Sequence, residues 1–245
     1  MKSIKKVGAS QNEREPRIYM RGFEKKGLND LGALQKQICD IGRRIWHKGF
    51  CAANEGNHSC RLSGGRVLCT PTGMSKGSLK PAELCIVDMQ GKQLAGKRRC
   101  TSEIHLHLAI YRSRPDVNAV IHSHPPHVTA FAISGVDLPS GVYPEAEVCL
   151  GPVPTANYVL PGDQRLGESI LPFVRHANTI LLQNHGVVCF DADLERCYDK
   201  LEIVEAYARV VILARQLGGC RKLSVREMKQ LLALKARLGM SDPRL

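Results

Sequence analysis

The stretch Ala119-Val-Ile-His-Ser-His-Pro-Pro-His127 contains an apolar run that leads into two histidines separated by one residue. The apolar run is typical of the end of a buried strand, and the two prolines stop that strand. Because side chains alternate between the faces of a strand, His122 and His124 point to the same side. Neutral imidazole is the commonest metal ligand, so this pair predicts half of a metal site at a strand end.

The overall composition is that of an ordinary globular protein. With 245 residues, of which 43% are hydrophobic and 24% charged, the chain is long enough for one large core. No apolar run approaches the roughly 18–20 residues of a membrane helix, and the basic start Met1–Lys6 lacks the apolar stretch of a secretory signal. The ten cysteines form no Cys-x-x-Cys pair, which favours free thiols over a disulfide framework. We therefore expect a cytoplasmic protein without a membrane partner.

The formal net charge of +12 is concentrated at the two ends of the chain. Residues 1–48 carry 12 Lys and Arg against 5 Asp and Glu, residues 49–220 carry 16 against 16, and residues 221–245 carry 7 against 2. Basic ends can contact acidic partners, and the N-terminal extension is, like the C-terminal helix, a candidate segment for docking another protein. The chain contains no nucleic-acid-binding motif, so we interpret the ends as solvated and expect no nucleic-acid partner.

Periodicity and cap residues divide the chain into three parts. Residues 1–28 are predicted to form a polar basic extension, residues 29–220 a single domain, and residues 221–245 a basic amphipathic helix and tail. Short hairpins within the domain rule against a purely parallel sheet. We therefore predict an α/β fold in which a mixed, mainly antiparallel central sheet is flanked by helices.

The individual elements follow from the same patterns. Helices are predicted from Asp30 to about Lys48, from Glu103 to about Ser113, over 125–132 and 163–176, from Asp193 to about Leu217 and from Ser224 to about Leu238. Strands are predicted over 60–62, 66–69, 84–89, 119–124, 179–183 and 187–190. The segments 142–148 and 153–158 are predicted to be extended.

Two further residues complete a candidate ligand set. His185 follows the apolar strand and is itself followed by Gly186, which lets another backbone or a ligand approach closely. Glu103 lies at the first turn of a capped helix, where the helix dipole favours a carboxylate. Three imidazoles and one carboxylate are a suitable donor set for zinc or another divalent metal.

The other histidines near these motifs leave alternatives open. His107 follows Glu103 by one helical turn, so these two residues are also consistent with an ordinary i, i+4 pair. A single histidine at a strand end is more often packed or hydrogen-bonded than bound to a metal. Spacing alone does not decide between the set above and sets that include His105, His107 or His127.

Five short motifs in a fixed order carry a resemblance to a known family. They are Gly56-Asn57-x-Ser59, Thr70-Pro-Thr-Gly73, Thr101-Ser-Glu103, His122-x-His124 and Gln183-Asn-His-Gly186. In this order, over about residues 30–218, the chain resembles the class II aldolase/adducin family, whose best-known members are fuculose-phosphate aldolase and ribulose-phosphate 4-epimerase. The resemblance implies a three-layer α/β/α fold and a homotetramer with active sites between subunits.

The resemblance also implies a set of functional residues. One zinc ion per subunit would be held by Glu103, His122, His124 and His185, which leaves His107 as a candidate to contact a ligand residue. A phosphate cradle would be formed by Gly56, Asn57, Thr72, Gly73, Thr101 and Ser102. Backbone amides in glycine turns, small hydroxyls and a helix N-terminus suit a dianion, although each loop alone is equally an ordinary turn or cap.

The chemistry that the resemblance implies is retro-aldol cleavage. The metal would act as a Lewis acid, and Glu103 would act as the base that moves a proton at the ketose carbon. Tyr143, 19 residues after His124, matches a tyrosine that serves the neighbouring subunit's aldehyde oxygen in the aldolase; the alternative is a half-buried strand aromatic. Glu145 or Glu147 could replace it as proton carrier, or be ordinary surface or salt-bridged residues.

These expectations lead to three functional hypotheses. The first is a zinc-dependent aldolase that cleaves a phosphorylated ketose of the L-fuculose 1-phosphate type into dihydroxyacetone phosphate and a short aldehyde such as lactaldehyde. Glutamate at position 103, where the epimerase branch carries aspartate, favours this hypothesis over epimerase. The second is an epimerase, decarboxylase or dehydratase of the same family, and the third a non-catalytic adducin-like module.

The C-terminal helix is expected to pack on its own oligomer or to dock another protein, such as the shell of a bacterial microcompartment.

Overall fold

Short strands and helices alternate along the chain, and the computed structural model describes residues 30–240, Asp242 and Arg244. The predicted extension at 1–28 lies outside these residues. The helices are α1 (Leu31–His47), α2 (Ile104–Ser113), α3 (Pro126–Ser134), α4 (Pro144–Cys149), α5 (Arg165–Ser169), α6 (Leu171–Val174), α7 (Leu194–Gln216) and α8 (Val225–Arg237). The strands are β1 (Asn57–Leu62), β2 (Arg66–Cys69), β3 (Cys85–Asp88), β4 (Gln93–Ala95), β5 (Ala119–Ser123), β6 (Thr155–Ala156), β7 (Thr179–Leu182) and β8 (Gly186–Asp191).

The eight strands form one sheet in the order β4-β3-β2-β1-β5-β8-β7-β6. Only the β6–β7 pair is parallel, which confirms the predicted mixed, mainly antiparallel sheet. The strand that carries His122 lies in the middle, where it pairs with Asn57 on one side and with Val188 on the other. The central position of β5 therefore fixes the first histidine through backbone hydrogen bonds on both sides.

Helices cover both faces of the sheet and give the expected three-layer arrangement. One core cluster joins the sheet to α1, α3 and α7, and the other joins it to α2, α5 and α6. The side chains of β5 show the separation, because Ile121 belongs to the first cluster and Val120 to the second. A strand buried on both faces explains why this stretch is a continuous apolar run rather than an alternating pattern.

The predicted helix starts are confirmed where a polar side chain caps the helix. Asp30 accepts a hydrogen bond from the amide of Ala33 at 3.0 Å, and Asp193 accepts one from Arg196 at 2.8 Å. Ser224 and Glu227 form a capping box at the start of α8. Each cap satisfies amide donors that the first helical turn leaves unpaired.

The prediction of an extended segment over 142–148 is wrong, because α4 begins at Pro144. A proline at the first helical position presets the backbone, and the carboxylates of Glu145 and Glu147 in the first turn suit the helix dipole. The prediction of one helix over 163–176 is also wrong. Pro172 cannot continue the hydrogen bonding of the preceding turn, so two short helices, α5 and α6, replace it.

The extents of two strands differ from the predictions, and one further strand was not predicted. The first strand begins at Asn57 rather than at residue 60, because residues 57–59 pair with β5. Only Thr155 and Ala156 of the segment 153–158 form a strand, since a proline next to them lacks an amide donor. The short edge strand β4 was not predicted at all.

No helix in the described part of the chain is both long enough and apolar enough to cross a membrane. All ten cysteines are free thiols, as predicted.

The C-terminal helix α8 packs on α4, where Lys235 Nζ donates to the Glu147 carbonyl at 3.1 Å and to the Asp242 carboxylate at 2.8 Å. Docking of another protein on the rest of α8 stays a prediction.

His58 is a buried histidine in β1 without a polar partner. Neither ring nitrogen has a hydrogen-bond partner among the described residues. Burial, together with the nearby Lys76 charge, lowers its pKa to about 3. The folded protein therefore keeps this imidazole neutral over the whole range in which a solvated histidine titrates.

Replacing His58 by leucine is expected to make the protein more resistant to acid. Between pH 6.5 and about 3 the unfolded chain binds a proton at this residue that the folded chain refuses, so stability falls with falling pH. The wild type is expected to lose about 2 kcal/mol more than His58→Leu between pH 7 and pH 5, in urea titrations at both pH values. His47→Leu, which changes an exposed histidine, is the control and is expected to behave as the wild type; equal losses in all three proteins would contradict the prediction.

Candidate metal centre and active site

Three histidines from two neighbouring strand ends meet at one edge of the sheet. His122 lies in β5 and His124 just after it, while His185 lies in the tight turn between β7 and β8. The ring centroids are 4.6–4.9 Å apart, and one nitrogen from each ring lies within 4.8 Å of the others. The left-handed backbone of Asn184 and the hydrogen bond from the His185 amide to the Leu182 carbonyl direct the third imidazole toward the pair.

Glu103 supplies a carboxylate to the same point. It is the N-cap residue of α2 rather than its first helical residue, and its amide donates to Thr101 Oγ1 at 3.2 Å. Its Oε2 lies 3.3 Å from His122 Nε2, and its Oε1 lies 3.4 Å from His185 Nε2. The structure therefore brings together all four residues that the resemblance implies as metal ligands.

The hydrogen bonds around the imidazoles determine which nitrogens are free. His122 Nδ1 donates to the Val187 carbonyl at 3.0 Å, and His124 Nδ1 lies 3.3 Å from the Glu55 carboxylate. Both Nε2 atoms therefore carry lone pairs, although they are 3.0 Å apart. Two facing lone pairs repel each other unless a cation lies between them.

The spacing of the four side chains suits a tetrahedral ion. Zinc bonds of about 2.0–2.1 Å place tetrahedral ligand atoms about 3.3–3.4 Å apart. The distances from His122 Nε2 to His124 Nε2 and to Glu103 Oε2, and from Glu103 Oε1 to His185 Nε2, range from 3.0 to 3.4 Å. The donor set of three imidazoles and one carboxylate also fits a divalent metal such as zinc.

Burial keeps the three imidazoles in the form that binds metals. The pKa of His122 is lowered well below its usual value by burial and by the two neighbouring imidazoles. Burial likewise lowers the pKa of His124, and it lowers that of His185 to about 4. Protons therefore do not compete with a metal at neutral pH.

A cavity of about 220 Å³ opens beside these residues, which is space for a small molecule rather than a polymer. Its wall contains every residue predicted for the phosphate cradle, namely Gly56, Asn57, Thr72, Gly73, Thr101 and Ser102. Gly56 has φ +73°, and a Cβ atom there would lie 2.9 Å from the His122 carbonyl oxygen. The loop can pass so close to β5 only because this residue is glycine.

Lys76 also lines the cavity, and it was not among the residues predicted from the sequence. Its side chain is almost fully buried, and Nζ donates to the carbonyls of Asn54 at 2.8 Å and Met74 at 2.7 Å. Burial lowers its pKa to about 8, so the ammonium group stays largely charged at pH 7. A lysine three residues after the Thr-Pro-Thr-Gly turn was the available signal. The cavity therefore has a fixed positive charge in its wall.

Other candidates lie outside this cavity. Tyr143 is half-buried at the N-terminus of α4 and stacks on Tyr207 with ring centroids 5.8 Å apart, so it does not line the cavity of its own chain. Glu147 is buried and accepts hydrogen bonds from Arg244 and from the Gly141 amide, which indicates a structural role. His127 Nδ1 contacts the Glu205 carboxylate at 2.6 Å.

The remaining alternatives are also placed elsewhere. His105 lies near Gly91, on the opposite side of α2 from Glu103 and its partners. His107 does not pair directly with Glu103 but contacts Asn57 and Ser59. Glu145, the other candidate proton carrier, is half-buried on α4 and does not line the cavity.

Adding a methyl group at Gly186 is expected to disrupt the histidine cluster. A Cβ atom there would lie 2.5 Å from His124 Cδ2 and 2.6 Å from the Ser123 carbonyl oxygen, so β5 and β8 would have to separate. Gly186→Ala is expected to lose about 1–3 kcal/mol of stability and most of its capacity to bind a divalent metal, as measured by urea unfolding and by elemental analysis after metal loading. Gly32→Ala, in an exposed position of α1, is the control; stoichiometric metal in Gly186→Ala would contradict the prediction.

Comparison with known proteins supports the family resemblance that the five sequence motifs indicate. The family model "Class II Aldolase and Adducin N-terminal domain" matches residues 36–212. An L-fuculose phosphate aldolase from Methanocaldococcus jannaschii is 34% identical over 73% of this chain and 96% of its own length. A 3-oxo-tetronate 4-phosphate decarboxylase from Pectobacterium atrosepticum is 30% identical over 72% of this chain and 83% of its own length.

A solved structure extends the comparison to three dimensions. An L-fuculose 1-phosphate aldolase superposes with a TM-score of 0.78 over 85% of this chain and 97% of that chain. At 24% identity this likeness shows the fold alone. Together with the family match, it confirms the resemblance and the fold predicted from the five motifs. The chain belongs to the class II aldolase and adducin N-terminal domain family.

Proposed function

We propose that this chain is a metal-dependent lyase that cleaves a phosphorylated ketose into dihydroxyacetone phosphate and a short aldehyde such as lactaldehyde. The observation that carries the proposal is the contact of Glu103 with both His122 and His185 at the wall of one small cavity. A carboxylate in this position can bind a metal and can also reach a substrate in the cavity. The name of the aldolase relative points in the same direction.

The cofactor in this proposal is one zinc ion per subunit, held by Glu103, His122, His124 and His185. When bound, it would supply Lewis-acid stabilisation of the charge that develops on the ketone oxygen. Glu103 moves the proton at the ketose carbon. Burial raises the pKa of this carboxyl, which increases its affinity for a proton and suits it to act as a base.

The phosphate group of the substrate would bind in the cradle. The cavity wall contains Gly56, Gly73, Thr72 and Ser102, whose turn amides and hydroxyls are groups that would bind a dianion. The charge of Lys76 in the same wall strengthens the attraction, because a buried ammonium interacts with an anion through a low dielectric. We therefore expect phosphorylated substrates to be strongly preferred over free sugars.

Tyr143 enters the proposal from a neighbouring subunit of a homotetramer, with the active site between subunits. Because it lies outside the cavity of its own chain, it can act on the aldehyde oxygen only if a second copy presents it. Its side chain is only half-buried in its own chain, which leaves part of it available to a neighbouring subunit.

A second candidate function is decarboxylation of a 3-oxo acid phosphate. The decarboxylase relative supports it, and so does the positive charge of Lys76, which suits a substrate with a second anionic group. Loss of carbon dioxide from such a substrate leaves the same negative charge on the ketone oxygen. This reaction needs no proton partner for an aldehyde, so it does not depend on Tyr143.

Product analysis by NMR separates these functions. The protein is incubated in the presence of zinc with L-fuculose 1-phosphate and, separately, with a 3-oxo-tetronate 4-phosphate, and its zinc content is measured. Appearance of lactaldehyde and dihydroxyacetone phosphate supports the aldolase, and release of carbon dioxide supports the decarboxylase. Failure to turn over either, together with no bound zinc, would favour the non-catalytic adducin-like module. Turnover that is unaffected by a chelator would contradict both metal-dependent functions.

A further inference from the structure

A buried chain of hydrogen bonds leads from Glu103 into the protein interior. Asn57 Nδ2 donates to Glu103 Oε2 at 2.7 Å, and Asn57 Oδ1 lies 2.5 Å from His107 Nε2. His107 Nδ1 lies 2.7 Å from Ser59 Oγ, which is 2.8 Å from the Tyr111 hydroxyl. Apart from the carboxylate, these groups lie outside the zinc ligand set, and all five residues are buried.

The local structure explains why these residues meet. Asn57 and Ser59 are two positions apart in β1, so both side chains point to the same face of the sheet. His107 and Tyr111 are four positions apart in α2, so they lie on one side of that helix. Helix α2 covers this face of the sheet, so His107 and Tyr111 contact Asn57 and Ser59 where the helix packs on β1.

The direction of every hydrogen in the chain follows from its first member. A carboxylate that binds a metal is ionised and can only accept, so Asn57 must present its NH₂ group to Glu103. Its carbonyl oxygen therefore faces His107, whose Nε2 must carry a hydrogen. His107 Nδ1 is then an acceptor, which requires the Ser59 hydroxyl to donate to it.

The far end of the chain is fixed in the same way. The Ser59 oxygen, having donated its hydrogen to His107, accepts one from the Tyr111 hydroxyl. Burial raises the pKa of Tyr111 well above its usual value, so the phenol keeps its hydrogen. Burial also lowers the pKa of His107 to about 3, which excludes an imidazolium at neutral pH. Only one arrangement of hydrogens satisfies all five groups.

We propose that Tyr111 and Ser59 are positioning residues that hold His107 in its Nε2–H tautomer, and that His107 thereby keeps the Asn57 amide aimed at Glu103. The fixed amide holds one oxygen of the carboxylate while the other faces His185. In the wrong tautomer, two lone pairs would face each other between His107 and Asn57, and the amide would turn its oxygen toward the carboxylate. The importance of this hydrogen-bond arrangement for turnover rests on the proposed function. Its effects on the His107 tautomer and on metal binding do not.

The tautomer can be measured directly in protein with ¹⁵N-labelled histidine. Nitrogen chemical shifts distinguish a ring nitrogen that carries a hydrogen from one that does not. We expect His107 to show a hydrogen on Nε2 and none on Nδ1 at pH 7. A hydrogen on Nδ1, alone or together with one on Nε2, would overturn the proposal.

Two buried residues of β1 provide a matched pair of variants. Ser59→Ala removes the donor to His107, whereas Cys60→Ala shortens the next side chain, which points to the opposite face. Ser59→Ala is expected to show a mixture of His107 tautomers and about 10-fold weaker zinc binding in competition with a chelator. Cys60→Ala is expected to keep one tautomer and wild-type zinc affinity. Equal behaviour of the two variants would overturn the proposal.

Conservative rescue at His107 tests the role of the Nε2 hydrogen. Glutamine can place an amide NH₂ near the position of Nε2, whereas leucine cannot donate. We expect His107→Gln to keep more zinc affinity than His107→Leu, and no difference between them would count against the proposal. If no tested substrate is turned over but the tautomer and the zinc affinities behave as expected, the proposed function fails and this inference stands.

Discussion

Turnover by the Glu103→Gln variant is expected to fall about 1,000-fold while zinc stays bound. Glutamine has the shape of glutamate and can still accept a hydrogen bond from Asn57, but it cannot take a proton from the substrate. Removal of a general base typically costs 100- to 10,000-fold. The three imidazoles remain as ligands, so elemental analysis should still find close to one zinc per chain.

Glu55 offers a carboxylate control in the same cavity. It is more exposed than Glu103, and it contacts His124 Nδ1 at 3.3 Å rather than the ligand nitrogens. Glu55→Gln is expected to bind zinc about 10-fold more weakly than the wild type. At saturating zinc it is expected to retain most of the wild-type turnover. If Glu103→Gln kept the wild-type rate with zinc bound, another group would be the base. If Glu55→Gln lost as much activity as Glu103→Gln at full zinc occupancy, the assignment would also fail.

The parts of the fold and site that could be predicted from the sequence rest on local rules. Asp30, Asp193 and Ser224 mark helix starts because a short polar side chain caps the first turn wherever it occurs. His122 and His124 face the same side because strands alternate with a period of two residues. Neither inference requires knowledge of the distant parts of the chain.

The features that the sequence did not predict depend on contacts between distant segments. Valines in the segment 142–148 favour an extended chain, but packing against α8 and the ion pair between Glu147 and Arg244 stabilise a helix there. Lys76 was not identified as a cavity residue, because its position in the sequence does not indicate that the Asn54 carbonyl will receive its ammonium group. The contact of His107 with Asn57, 50 residues earlier, depends in the same way on how α2 lies across the sheet.

The other large effect is expected from removing one imidazole at the centre of the cluster. His122 Nε2 lies 3.0 Å from His124 Nε2 and 3.3 Å from the Glu103 carboxylate, so His122→Ala removes a proposed ligand that contacts both of these side chains. We expect bound zinc to fall to about a tenth of the wild-type content and turnover to fall by about 1,000-fold or more. Zinc at 100 times its dissociation constant should stabilise the wild type by about 2.7 kcal/mol, and this increment should disappear in the variant.

His127→Ala is the matched control, because His127 follows the same strand and was a rival ligand in the sequence. Its imidazole contacts Glu205 rather than the cluster, so the variant is expected to lose some stability but to retain zinc and the zinc-dependent increment. The two variants therefore separate metal binding from general destabilisation, since unfolding measured with and without zinc reports the increment directly. Full zinc content in His122→Ala, or its loss in His127→Ala, would show that Glu103 and the three histidines near it do not form the metal centre.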